Sequence, residues 1–335
     1  MILGVESSCD DTSLAVFGEL AGRFLYEKSS SQGDLHAQYG GVVPQLAARE
    51  HLRNFPILLE DLKRRVPLAE VTKIAVTCGP GLPGSLAAGV ACAESLGLIL
   101  RREVVGVHHL RGHILSPFIG KNLQKNDFRA ENFPHLSLLA SGGNTFLAAV
   151  DADFSARIIA RTVDDAAGEA IDKGAKLLGL KYPGGPEMER FAAAGNAQFF
   201  KFPQAFTRAD EMVFSFSGLK TSLRYLLEKL SAGELRRHFS DICASYQFAV
   251  VDILVKKMKQ AMNQGNFRSI GLSGGVANNR LLRERVGNLG EEKKIMCHLP
   301  ILKYTGDNAS MIAFAAAVDG PHTTKIIDFQ PNWQL

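Results

Sequence analysis

A strand–turn–strand pattern at the start of the chain returns in its middle, and this repetition constrains the fold more than any other feature. Ile2-Leu3-Gly4-Val5, a polar turn over 7–12 and Leu14-Ala15-Val16-Phe17 read as a β-hairpin. Leu136-Ser137-Leu138-Leu139-Ala140, the turn Ser141-Gly142-Gly143-Asn144 and Thr145-Phe146-Leu147-Ala148-Ala149-Val150 read as a second hairpin of the same design. Behind the first lie a strand over 23–26, an amphipathic helix over 45–65 and a strand over 73–77. A glycine loop over 79–84, a small-residue helix over 84–100 and a strand over 103–107 follow. Behind the second lie a helix opening at Asp164-Asp165, a long helix over 243–264 and a strand–loop–helix over 269–286. The matched order predicts two α/β lobes of related topology.

At 335 residues the chain has room for two domains of ordinary size. The turn-rich stretch 120–134 reads as their connector, which sets an N-terminal lobe at 1–120, a C-terminal lobe at 134–305 and a closing segment at 306–335 with a helix over 309–318. Two lobes, each built on a hairpin whose turn faces a central nucleotide cleft, are the plan of the actin-like ATPase and sugar-kinase (ASKHA) fold. That expectation rests on analogy of fold and names no function.

The composition, 46% hydrophobic and 21% charged, is that of a globular enzyme. A net charge of +4 is compatible with a nucleic-acid partner without requiring one. Five scattered cysteines with no C-x-x-C argue against a disulfide framework or a cysteine zinc site, and favour a reducing compartment. The first residues carry no basic leader, and Glu94 interrupts the most apolar helix, so a cytoplasmic protein with no membrane span is expected.

Three glycine loops and a histidine pair carry the chemistry. Ser141-Gly142-Gly143-Asn144-Thr145 follows a strand, where glycine lets backbone N–H groups approach phosphate oxygens; a plain hairpin turn uses the same residues. Ser273-Gly274-Gly275 leads into a helix whose N-terminus suits an anion, and Asn279 there suits a ribose hydroxyl or base edge. Asp164 and Asp165 suit a helix cap. Asp172 lies deeper in that helix, where it suits a ribose diol, and Tyr182-Pro183-Gly184-Gly185-Pro186 makes a turn against which a nucleoside can lie. His109 and His113 share one helix face. Arg111 lies between them, so the glutamate base of a zinc protease is missing. Asp307 is the best third ligand, alternatively a helix cap, and two imidazoles with one carboxylate suit one divalent ion, Fe2+ or Zn2+.

Taken together, these stretches resemble the tRNA N6-adenosine threonylcarbamoyltransferases, the TsaD family. The resemblance runs from Gly4-Val5-Glu6-Ser7-Ser8-Cys9-Asp10-Asp11-Thr12 through the histidine pair, Asp165 to Lys173 and Phe214-Ser215-Phe216-Ser217-Gly218-Leu219-Lys220-Thr221 to Gly306-Asp307-Asn308-Ala309. It implies transfer of threonylcarbamoyl from threonylcarbamoyl-AMP to N6 of adenosine 37 in tRNAs reading codons that begin with A. By carry-over, His109, His113 and Asp307 hold one metal ion. Leu139, Ala140, Ser141, Gly142, Gly143, Asp172, Gly185, Glu189 and Asn279 hold the adenylate. Asp10 or Asp11 is expected to accept the N6 proton, or to bind water at the metal. The partners implied are tRNA, TsaB through the first lobe, and the ATPase TsaE. The chain departs from the family pattern at Asp11 and Gln45 (each for glutamate), Glu94 (for lysine), Arg111 (for glutamate) and Asn144 (for histidine). The rival readings are an ATP-dependent phosphotransferase or ATPase of the same fold, and a non-catalytic scaffold subunit.

Overall fold

The computed structural model describes the chain except residues 122–126, 207, 209, 326 and 327, and the side chain of Pro321. Part of the expected connector at 120–134 therefore lies outside the described residues. The chain forms two compact units, one of Met1–Lys125 with Ile301–Leu335, the other of Asn126–Pro300.

The first unit is built on β1 (Ile2–Glu6), β2 (Asp11–Gly18), β3 (Arg23–Ser31), α1 (Gly33–Ala37), α2 (Pro44–Arg65), β4 (Lys73–Gly79), α3 (Pro83–Leu100), β5 (Glu103–His108) and α4 (His109–Leu115). The second contains α5 (Phe128–Asn132), β6 (His135–Ala140), β7 (Thr145–Val150), β8 (Ala156–Thr162), α6 (Ala167–Leu177), α7 (Gly184–Ala192) and β9 (Val213–Phe214). It continues with α8 (Ser217–Lys229), α9 (Ala232–Gln264), β10 (Ser269–Ser273), α10 (Arg280–Lys293) and β11 (Met296–His298). The last helix, α11 (Ala309–Val318), returns to the first unit.

The sheets show the expected duplication. The first runs β3-β2-β1-β4-β5 and the second β11-β10-β6-β7-β8-β9. In each, a three-strand antiparallel meander (β1-β2-β3, β6-β7-β8) is extended by two parallel strands (β4 and β5, β10 and β11). Parallel neighbours put the ends of β6 and β10 on one edge, with Ser273 opposite Leu139. The two glycine turns that follow those strands are therefore neighbours.

Several boundaries differ from the sequence pattern for local reasons. β3 continues to Ser31 because its polar end pairs with β2, Ser29 Oγ donating to Ser13 Oγ at 2.8 Å. α9 begins at Ala232, about three turns before 243, because Ser231 and Glu234 form a reciprocal capping box. α6 starts at Ala167 without a side-chain cap. Asp164 instead caps α8, accepting from the Phe216 N–H at 2.8 Å and from the hydroxyls of Ser215 and Ser217.

Among the described residues one helix, α3, is long and apolar enough to cross a membrane. One side of it packs inside the first unit, with Leu86, Val90 and Ala93 buried, while Leu98 and Ile99 are exposed. Its glycines admit close neighbours: a Cβ on Gly89 would sit 2.2 Å from Ser7 Oγ, and one on Gly97 2.4 Å from Val104. α11 is held closely too. A Cβ on Gly4 would meet the Ala309 carbonyl oxygen at 2.4 Å, so only glycine on β1 lets α11 lie at this distance.

Candidate metal centre and nucleotide turns

β5 delivers the chain to α4, whose N-cap is His108, its imidazole accepting from Leu110 N–H. Four residues apart on this short helix, His109 and His113 present their rings to each other, centroids 4.7 Å apart. Between them, Gly112 leaves room for α11. A Cβ there would meet Ile312 and Met311 at 3.0 Å. α11 therefore approaches the histidine helix, and Asp307, two residues before α11, reaches both rings. Asp307 Oδ1 lies 3.1 Å from His113 Nε2 and 3.5 Å from His109 Nε2.

Those separations fit a bound ion. Metal–ligand distances of about 2.0–2.2 Å place neighbouring ligand atoms about 3.0–3.5 Å apart in octahedral or tetrahedral geometry. The three ligand atoms all lie within 4.8 Å of one another, and both histidines are buried. The donor set therefore fits a divalent metal of the kind that accepts imidazole and carboxylate.

The support behind His109 comes from a residue to which the sequence pattern assigns no role. Glu6 ends β1 fully buried, and its Oε2 lies 3.2 Å from His109 Nδ1. Its Oε1 accepts the Ser8 N–H at 2.6 Å, and Thr77 Oγ1 donates to Oε2. A carboxylate behind a ligating imidazole fixes the tautomer that leaves Nε2 for the metal. The sequence signal was present: a lone acid closing a wholly apolar strand. Burial by itself would raise the Glu6 carboxyl, but the charge and hydrogen bond of His109 hold it below its ordinary value. Burial would likewise lower His109, yet the Asp307 and Glu6 carboxylates push it up to about 9. For His113 burial prevails over the Asp307 bond, and it lies below its ordinary value. Asp307 would be raised by burial and is held down at about 2 by the two histidines. Glu6→Gln keeps the volume and weakens the acceptor behind His109. Metal affinity, read by competition with a chelator, is expected to fall about 10–100-fold.

Arg111, which stands where the resembled family commonly has glutamate, has a partner of its own. Its Nε donates to Asp319 Oδ2 at 2.5 Å, and the Asp319 side chain is almost fully buried. The ion pair ties α4 to the far end of α11.

Asp10 ends the β1–β2 turn of the same unit and Asp11 opens β2, opposite Ser31 of β3. Asp11 Oδ1 is buried without a hydrogen-bond partner among the described residues, and burial pushes the carboxyl up to about 7.

In the second unit, the residues expected at an adenylate gather around the ends of β6 and β10. Leu139 and Ala140 close β6; Gly142 and Gly143 in the turn and Gly275 beyond β10 face open space. Gly274 has φ +85, and its place against Ala140 O leaves no room for a Cβ. The first turn of α6 is docked on this loop, Gly168 N–H donating to Ser141 O at 3.1 Å. Asp172 is committed on one side: its Oδ1 accepts the Gly184 N–H at 2.8 Å, so it caps α7. Glu189 Oε1 accepts the Arg280 N–H at 2.7 Å at the start of α10. Asn279 is the N-cap of α10 through its Oδ1 and donates Nδ2 to Gln247 Oε1 at 3.0 Å. Gly185 follows the capped Gly184, with nothing nearer its missing Cβ than Ile171 at 3.9 Å. Asp172, Glu189 and Asn279 thus fasten the starts of α7 and α10 near two glycine turns whose own backbone is open, Gly142, Gly143 and Gly275 having nothing within 4 Å of a missing Cβ. Ser273 Oγ at the end of β10 is buried without a partner among the described residues.

The third glycine loop, at 79–84, is not open in this way. Gly79 lies under Gln330 O and Gly81 against Ser8 O, and Gly81 N–H donates to Pro331 O at 3.1 Å. Its glycines serve close packing of the chain end, not phosphate.

The family model of TsaD, tRNA N6-adenosine threonylcarbamoyltransferase, matches residues 23–314. A relative of that name from Paracidovorax citrulli is 43% identical over 100% of this chain and 97% of its own length. One from Salinibacter ruber is 42% identical over 100% of both. Among solved structures, HypF from T. kodakarensis superposes with a TM-score of 0.59 at 16% identity, over 95% of this chain and 47% of that one. The (R)-2-hydroxyglutaryl-CoA dehydratase component A of Acidaminococcus fermentans gives 0.51 at 14% identity, over 95% of both chains. Identities this low speak to the fold alone, the actin-like ATPase fold with its duplicated sheets.

Proposed function

The chain belongs to the tRNA N6-adenosine threonylcarbamoyltransferase family and is an acyltransferase that modifies tRNA, and on that premise we propose how its own residues divide the reaction. The donor is threonylcarbamoyl-AMP and the acceptor N6 of adenosine 37 in tRNAs that read codons beginning with A. The observation that carries the reading is the convergence of His109, His113 and Asp307 on one ligand position, backed by the buried Glu6. A phosphotransferase of the same fold leaves that constellation without a use.

The adenylate phosphate is held by the turn Ser141-Gly142-Gly143 and the glycines after β10, where open glycine backbone lets N–H groups approach an anion. Leu139 and Ala140 form the strand edge beneath it. Asp172, whose carboxylate accepts the N–H groups of Gly184 and Gly185, and Asn279 orient the ribose, with Gly185 letting the nucleoside approach the backbone and Glu189 fixing α10. A divalent metal, which we assign as Fe2+ with Zn2+ the alternative, supplies Lewis-acid polarisation of the transferred carbonyl when bound to His109, His113 and Asp307.

The N6 lone pair is delocalised into the adenine ring, so orientation carries much of the barrier lowering. N6 attacks the carbamoyl carbonyl carbon, the bond from that carbon to the phosphate oxygen breaks, and AMP leaves with the electron pair. The N6 proton passes to a carboxylate. We assign this role to Asp11, whose carboxyl burial pushes up to about 7, with its neighbour Asp10 the alternative. Asp11→Asn is expected to lower kcat by about 10²–10⁴-fold with donor binding kept. An unchanged kcat removes Asp11 from the mechanism.

A protein partner of the TsaB kind is supported by large apolar side chains left exposed on two helices of the first unit, Leu52 and Ile57 on α2 and Leu98 and Ile99 on α3. An ATPase of the TsaE kind completes the proposed assembly, and the cytoplasm is its proposed compartment. The test is to mix the chain and its partner subunits with threonylcarbamoyl-AMP and unmodified tRNA, and to measure threonylcarbamoyladenosine by mass spectrometry. Product is expected. No product from folded, metal-loaded and partnered protein overturns the reading.

A further inference from the structure

None of the metal or adenylate residues comes from Phe214-Ser215-Phe216-Ser217-Gly218-Leu219-Lys220-Thr221, although the stretch is among the most distinctive in the sequence. It opens α8, whose buried face is Leu219 and Leu223. Its other face lines a groove of about 730 Å³ in the second unit, together with residues 200–203. At steps of four along α8 the groove receives Ser217, Thr221, Tyr225 and Lys229, with Ser222 beside them and Lys201 from across it.

The charge of this lining is one-sided, on walls that also carry Phe200, Phe202, Pro203 and Leu226. It contains two lysines and no carboxylate. Among the described residues neither Lys201 nor Lys229 has an ion pair. Glu228 is paired with Arg224 at 3.7 Å, and Asp164 is turned to the start of α8, where it accepts from the Phe216 N–H and the Ser217 hydroxyl and keeps its charge. Thr221 and Ser222 bring hydroxyls without a protein partner among the described residues. Tyr225 is 51% exposed, and Gly218 leaves the floor open, with nothing within 4 Å of its missing Cβ. Two lysines lining one groove without an ion pair favour an anion there. The exposed Tyr225 ring carries the Arg224 guanidinium over one face, 5.3 Å from its centroid, and a base would stack on the other. Cations that track a backbone, with an aromatic ring for a base, are how single-stranded nucleic acid is held.

We propose that this groove binds a single-stranded stretch of the RNA substrate, with phosphates on Lys201 and Lys229 and a base on Tyr225. The assignment rests on the family reading, which makes RNA the substrate, and adds a surface to it. Its size, within the roughly 300–1,000 Å³ of ordinary ligand sites, suits one or two nucleotides.

The experiment measures binding of unmodified tRNA to the full chain by fluorescence anisotropy at several salt concentrations, for wild type, Lys201→Glu/Lys229→Glu, Lys201→Gln/Lys229→Gln and Tyr225→Ala. All three side chains are exposed, so the variants should keep the wild-type circular dichroism and melting. The glutamine pair is expected to reduce the salt slope by about 1.4, about 0.7 for each single-strand phosphate no longer neutralised. The glutamate pair should weaken binding more than the glutamine pair, and Tyr225→Ala should weaken it about tenfold. In the transfer assay the glutamine pair should raise KM for tRNA and leave kcat and KM for the donor unchanged. Wild-type affinity and salt slope in both lysine pairs overturn the proposal, as does a wild-type chain that binds no tRNA. Wild-type product formation tests the family reading separately: if product forms while the lysine pairs bind normally, only the groove assignment falls.

Discussion

The double variant His109→Ala/His113→Ala is expected to lose its bound metal and about 10³-fold or more of its transfer rate, because polarisation of the carbonyl contributes several kcal/mol and each 1.36 kcal/mol is tenfold. The fold should survive. α4 is anchored by buried Leu110, Ile114 and Leu115, and the Arg111–Asp319 pair ties it to α11 independently of the rings. Binding of an adenylate analogue should also survive, since the proposed nucleotide residues all belong to the other unit. Metal content, circular dichroism and product measured together separate these claims. Full transfer without bound metal would sink the assignment of the centre.

The second large effect concerns a residue that touches neither ligand nor substrate. Gly4→Ala places a methyl group 2.4 Å from the Ala309 backbone oxygen and 3.0 Å from Ala313. A backbone atom cannot swing aside as a side chain end does, so α11 must shift bodily, and Asp307 precedes it by two residues. Overpacking of this kind costs about 1–3 kcal/mol, a fall in apparent Tm of roughly 3–10 °C for a unit of this size. Metal affinity should fall with it. Gly287→Ala is the contrast: it lies within α10 with nothing within 4 Å of the new methyl, so stability should rise by about 0.5–1 kcal/mol. Equal melting temperatures for the two variants would show that the close approach of α11 to β1 is not what holds Asp307 in place.

The sequence made much of this legible because several of its signals are local. Alternating apolar residues around polar turns mark a strand pair wherever they occur, so both hairpins were readable without any contact information. The histidine pair was readable because helical spacing alone puts residues four apart on one face. The start of α9 was equally local in Ser231 and Glu234, although apolar density placed the helix later. Asp164 shows where local reading stops. Its position before an apolar run says cap, and it is one, but for α8, about fifty residues on. Asp172 likewise holds the N-terminus of α7 instead of standing free inside its own helix.

The residue types, their order and their periodicity determined the duplicated α/β plan, the candidate metal ligands and the glycine turns, since each depends on neighbours along the chain. Tertiary packing decided which of these act together. Asp307 stands beside His109 and His113 because glycines at 4 and 112 admit α11, and Glu6 matters because β1 ends beneath the histidine helix. The loop at 79–84 has the composition of a phosphate turn, yet the chain end occupies it through Gln330 and Pro331. Spacing along the chain fixes which groups a helix or turn presents. What each group meets depends on which distant backbone the absence of a Cβ allows to come close.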